Sequence, residues 1–434
     1  MTTVAITAVV AFAVIGWQVI RSDDDGLLGS AGNWDELAII DRSSGDIVLL
    51  DDDGELDRTV VGLGPVTDAY TIDDRLALVG ATQVALHGGD DEPSAIAIDR
   101  SSTVTPIRTD DGLDLVIGEE AGGNVRIVDV TSREVLDVGA LAAQTDPLLF
   151  AETASWSSDG SGFAVADAAS FQTIVVRDGA DRAEFFPSQP IALDDDRVAT
   201  SQIVGTQADV GLFDADRNST ARVPTEIPAG GVMTDGALVM VSTKGVISRV
   251  ADGDAEATEL GSVAVPSGGT VTALHPTFDG ERLVVTGDVF EAIIDLDGNT
   301  LFTTTFTSAV AVDRPAPSWT CLPVGGPGSY HSLVSLETGE QFADLSGFEV
   351  TGAAGDGCTV IGERNGVTEV IGVDQSASLG RVRSATLGPD GRTVVRTTTG
   401  GDTQIVRLDD EFALGETIDI STSVPTNAIV AFLD

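Results

Sequence analysis

Residues 271–306 read VTALHPTFDGERLVVTGDVFEAIIDLDGNTLFTTTF. The pattern predicts strands over Val271–Leu274, Arg282–Thr286, Ala292–Asp295 and Leu301–Phe306. A turn at Phe278-Asp279-Gly280 separates the first two, and Leu296-Asp297-Gly298-Asn299 closes a hairpin between the last two. Asp-Gly and Gly-Asn between β-rich runs are hairpin signals, because Gly and Asn accept the positive φ that tight turns require. One such sheet cannot bury both of its faces, so it needs copies of itself as neighbours.

The copies follow along the chain. Hairpin-like segments run over Ala38–Leu50, Ala95–Ile107, Arg126–Val138, Thr173–Phe186, Val210–Val223 and Val246–Leu260. Others are Ala292–Thr304, Ser332–Leu345, Glu369–Val382 and Gln404–Ile418. Their starts lie about 40 residues apart, the period of a four-stranded propeller blade. The early spacing is uneven, so Val66–Val138 reads as one irregular blade plus one incomplete one.

Three segments add a turn ahead of an apolar run: SWSSDGSGFAV (155–165), TFDGERLVV (277–285) and LGPDGRTVV (387–395). They resemble the W-S-P-D-G turn of TolB-type and WD-repeat-like propellers. The hairpins IIDLDGNTLF and LVSLETGEQF resemble a turn of quinoprotein-type propellers. The resemblance implies an all-β fold, a β-propeller of four-stranded antiparallel blades over residues 34–434, and names no activity. Nine or ten units are read; seven or eight blades result if irregular units merge. The lone strand-like run at 427–433 has no hairpin after it, and the first hairpin has no strand before it. Pairing the two closes the ring and removes two open edges.

Ahead of the repeats, Val4–Ile20 is free of formal charge. As a helix it would span roughly 26 Å, enough for a thin bilayer core. Residues 1–21 are read as a transmembrane signal anchor and 22–33 (SDDDGLLGSAGN) as an acidic, flexible tether. A cleaved signal peptide and a buried segment are the competing readings. Arg21, after the apolar run, points weakly to a cytoplasmic body. The cysteines argue the other way.

The chain holds 69 Asp+Glu against 23 Lys+Arg, a formal charge of −46. The acid is spread along the sequence, which reads as a solvated surface. No basic stripe exists for nucleic acid. Cationic partners remain compatible.

Cys321 and Cys358 precede their hairpins by similar distances, one repeat apart. A disulfide is expected, with two buried thiols as the alternative; a bridge would fit an oxidising compartment. The histidines His87, His275 and His331 fall in different repeats. No catalytic motif is found, and no cofactor or metal ligand set is assigned. Asp51–Asp57 and Asp194–Asp196 resemble calcium-loop fragments without the full spacing and read as solvated turns. Asn218-Ser219-Thr220 is a glycosylation sequon by pattern.

The expectation is a single-pass membrane protein whose propeller sits outside the cytoplasm and binds a protein or glycan. The alternatives are a hydrolase or lactonase-like enzyme with a metal at the channel mouth, and a purely structural envelope protein.

Overall fold

The computed structural model describes residues 34–433, apart from 73–74, 89–92, 101, 110–111, 119–123, 131, 141–154, 158–161, 168–171, 178–183, 195, 278–280, 307–318, 326–329, 410, 421–424 and 426–427. The anchor over Val4–Ile20, the tether at 22–33 and the turns at Ser158-Asp159-Gly160 and Phe278-Asp279-Gly280 lie outside the described residues. No described helix is long and apolar enough to cross a membrane.

Among the described residues the strands form ten antiparallel sheets, nine of four strands and one of three. We number the sheets in chain order and their strands from the inside outward. Sheet 7 is the opening stretch itself: Val271–Pro276, Arg282–Gly287, Phe290–Asp295 and Thr300–Thr305. Ten separate sheets exclude the merging of units into seven or eight.

Burial explains the strand sequences. A sheet sandwiched between two others is covered on both faces, so its middle strands are near-continuous apolar runs. The third strand of sheet 7, FEAIID, is buried at five consecutive positions. The outer strand of sheet 1, LDRTV (Leu56–Val60), lies on the rim and is almost wholly exposed. Neighbouring sheets interlock through these runs. Val284 and Ile293 of sheet 7 meet Leu322 and Val334 of sheet 8. Val395 and Ile405 of sheet 10 meet Leu37 and Phe432 of sheet 1. Each fully buried Val, Leu or Ile contributes about 1.5–3 kcal/mol.

Sheet 1 is built from both ends of the chain. Its inner strand is Ile429–Leu433, paired antiparallel with Glu36–Ile40 from Glu36↔Leu433 to Ile40↔Ile429. Trp34 packs edge-on against Phe432, ring centroids 5.2 Å apart. First and last sheets are therefore neighbours, and the array closes on itself as a propeller.

Two readings from sequence are corrected. Ala95–Ile107 is not a hairpin: Ser94–Ala97 is the outer strand of sheet 2 and Thr103–Thr109 the inner strand of sheet 3. Val66–Val138 holds two complete four-stranded sheets, the first closed by the pairing of Gln83–Gly88 with Ser94–Ala97.

Four of the turns between third and outer strands, in sheets 1, 5, 7 and 10, share one device. Asp295 accepts the Asn299 N–H, and Gly298 takes a φ of 91°. Asp51 does the same for Glu55, Asp214 for Asn218 and Asp409 for Ala413. The side chain replaces a backbone acceptor, as in an Asx turn. Several turns at this position also bond to the preceding sheet. The Gly253 N–H donates to the Thr220 carbonyl, Arg133 donates to the Gly88 carbonyl, and Arg407 of sheet 10 donates to the Asp52 carbonyl in the turn of sheet 1.

Candidate functional site

Strand direction sorts the turns into two groups. Connections from first to second and from third to outer strands emerge at one end of the ring. Connections from second to third strands, and from one sheet to the next, emerge at the other.

The first end is acidic. Near the axis it carries Asp194, Asp235, Asp356 and Asp390, from the inner turns of sheets 5, 6, 9 and 10. Farther out stand Asp52, Asp53 and Glu55 of sheet 1, Asp216 of sheet 5, Asp297 of sheet 7 and Glu411 of sheet 10. Several of these groups first serve the fold. Asp390 accepts the Thr393 N–H at 2.9 Å and its hydroxyl at 2.6 Å. Asp356 accepts the Cys358 N–H at 2.9 Å, and burial pushes its carboxyl above the usual carboxylate range. Burial likewise raises Asp194, whose Oδ1 accepts the Asp196 N–H. The residues at the turn tips, among them Asp53, Asp216, Asp297 and Glu411, point their charge into solvent. Arg217 stands exposed beside Asp216, but other arginines at this end are spent on neighbours: Arg197 donates to the Gly236 carbonyl and pairs with Asp252 at 2.7 Å. Arg407 also pairs with Glu416 at 3.5 Å.

The opposite end has fewer acids and carries Arg42, Lys244 and Arg381. Lys244 pairs with Glu226 at 2.8 Å, and the Lys244 hydrogen bond holds the Glu226 carboxyl below its ordinary value. Here Val61 and Leu63 are exposed, as are Ile203 and Val204 at the tip of a long hairpin. Between the ends, a cavity of about 170 Å³ lies against the inner strands of sheets 9, 10, 1 and 2. Its wall includes Thr351, Ala385, Thr386 and Ile429, with Arg42 and Asp68 as its charged groups.

Cys321 opens the described part of sheet 8, and Cys358 lies in the inner turn of sheet 9. The structure joins them, Cα atoms 4.9 Å apart. The same junction is tied by Thr320 N–H to the Asp356 carbonyl at 2.8 Å.

The histidines do not converge. His87 is buried in sheet 2 and His275 lies on the inner strand of sheet 7. The ring of His331 packs 5.2 Å from Phe306. Among the described residues no group of three or more His, Cys, Asp and Glu is placed to hold a metal. In the segments resembling calcium loops, Asp51 and Asp194 each cap their own turn. In the sequon, the Asn218 side-chain amide donates to Asp214 at 3.1 Å. Sequence reading did not find the acidic end, because charge spread evenly along the chain is gathered only when strand direction is known.

No family model matches the chain, and no curated protein matches it in sequence. Solved structures resemble it at low identity. AztD from Citrobacter koseri is 10% identical, covering 92% of this chain and 98% of its own, with a TM-score of 0.40. A eukaryotic initiation factor is 11% identical over 92% and 98%, with a TM-score of 0.45. BamB from Moraxella catarrhalis is 12% identical over 78% and 96%, with a TM-score of 0.38.

Proposed function

We propose that this protein is a binding module, held to a membrane by Val4–Ile20 with its propeller outside the cytoplasm. Its acidic end receives a cationic segment of a protein partner. The observation that carries this is the gathering of acidic turns from many sheets at one end of the ring. Rigid strands hold the loops, and loops so held are the usual place for recognition. Summed charge of one sign steers oppositely charged partners to the surface. The location outside the cytoplasm is supported by the uncharged apolar run and by the joined Cys321 and Cys358, since disulfides persist in oxidising compartments. Recognition of this kind needs no covalent chemistry. A neutral glycan would be the ligand if binding proved indifferent to salt.

The test uses an oligolysine peptide as probe. Binding should weaken at least tenfold when salt is raised from low to physiological strength. Changing Asp53, Asp216, Asp297 and Glu411 together to Asn or Gln should weaken it further. Changing Asp99 and Asp402, at the opposite end, should not. Equal loss from both sets would remove the acidic end as the site.

A further inference from the structure

The point where the chain enters the ring fixes which end can look toward a membrane. Glu36–Ile40 is the second strand of sheet 1, and second strands begin at the acidic end. Trp34 and Asp35 therefore stand at that end, and the Asp35 N–H donates to the Leu433 carbonyl there at 2.9 Å. The Glu36 carboxylate, at the start of the strand, pairs with Arg58 at 3.4 Å. Only Arg21–Asn33 separates this point from the apolar run. Thirteen residues reach about 45 Å when fully extended.

We infer that the acidic end faces the bilayer, no farther from it than the ~45 Å that thirteen residues can span, and that the end bearing Val61, Leu63, Ile203 and Val204 faces away. This rests on the anchored reading given above. Anionic headgroups repel the acidic end, so the ring stands off the surface instead of lying on it. Screening confines that repulsion to the last ~8 Å at physiological salt, so the tether length sets the upper limit of the gap. A helix about 10–12 Å across, or an extended chain, can enter it. The partner of the acidic end is therefore a basic segment lying close to the membrane surface, such as the stretch flanking another protein's membrane span.

The experiment places a donor dye on a single introduced thiol, either Asp53→Cys at the acidic end or Thr206→Cys at the opposite end. The full chain is reconstituted into phosphatidylcholine–phosphatidylglycerol vesicles containing a trace of acceptor-labelled lipid. The unsubstituted chain, labelled without reductant, serves as the blank. Strands of about six residues put the two ends roughly 20 Å apart. Energy transfer from position 53 should exceed that from position 206 at least threefold. Equal or reversed transfer, in chains that float with the vesicles, overturns the orientation and leaves the anchor standing. Chains that do not float overturn the anchored reading and this inference with it.

Discussion

The Asp295 carboxylate holds Asn299 twice, accepting its backbone N–H at 2.7 Å and its side-chain amide at 2.8 Å. The pair closes the third-to-outer turn of sheet 7, and Gly298 of that turn packs against Leu260 of sheet 6. Hydrogen bonds to a charged acceptor contribute about 1.5–3 kcal/mol each where water is partly excluded, less at a surface. Asp295→Ala should therefore cost about 2 kcal/mol, read as a lower denaturant midpoint. Asp295→Asn, which keeps an acceptor, should lose less than half of that. Equal losses would mean the carboxylate does not hold the turn.

His87 sets a pH dependence of opposite origin to the acidic turns. It is buried, neither ring nitrogen has a hydrogen-bond partner, and burial, then the Arg133 charge, push its pKa below 6.5. The unfolded chain takes up this proton as pH falls through about 6.5, while the folded chain resists it. Stability is thus lost from about pH 6.5 downward until the lower folded value is reached. His87→Leu should flatten the melting temperature between pH 7.5 and 5.5 relative to the unsubstituted chain. Asp41 and Asp214 act lower on the scale. Hydrogen bonds from Ser43 and from Asn218 depress their carboxyls, so their contribution is present above the ordinary carboxylate value and lost as pH falls below it.

Gly339 and Gly205 separate backbone strain from packing. Both have positive φ, 71° and 69°. A Cβ at Gly339 would collide with the Leu301 carbonyl of sheet 7, whereas nothing lies within 4 Å of one at Gly205. Gly205→Ala should cost about 1 kcal/mol for the left-handed backbone alone. Gly339→Ala should cost clearly more in the same urea titration, because the turn must leave its neighbour. Matching losses would show that turn-to-sheet docking contributes nothing.

The link between Cys321 and Cys358 spans 37 residues. Closing a loop of that length stabilises by about 4 kcal/mol on the chain-entropy model. Native protein from an oxidising compartment should therefore yield a joined peptide in non-reducing mass analysis, and its unfolding midpoint should drop on reduction. Two thiols alkylated in the unreduced native protein would contradict this.

What was legible in the sequence was local. The Asp295–Asn299 turn announces itself, because Asp, Gly and Asn are the residues its geometry demands. The segment at Asp99–Ser102 is also a polar turn, though differently built: the Ser102 N–H donates to the Asp99 carbonyl and the Asp99 N–H donates to the Ser102 hydroxyl. Yet it links two sheets instead of two strands of one. Asp and other small polar residues mark both turns, so composition does not tell a turn within one sheet from a link between two, and Ala95–Ile107 reads as a hairpin. The acidic end was hidden for a related reason. Asp53 and Asp46 lie seven residues apart in sequence but at opposite ends of sheet 1, and only the direction of Ile47–Asp51 between them tells which is which. Register shifts at the start of the inner strands of sheets 5, 6, 7, 9 and 10 left no compositional mark at all.

The shared origin of sheet 1 has a consequence for biogenesis. Its edge at Glu36–Ile40 is translated before the other described sheets, but the strand that covers it, Ile429–Leu433, is translated after all of them. Throughout synthesis that edge stays open, and any passing extended chain can pair with it. The intermediate sheets carry mostly neighbouring contacts and can form as they appear, whereas sheet 1 awaits the longest-range strand pairing among the described residues. A nascent chain of this kind depends on chaperone cover until Ile429–Leu433 is free to dock.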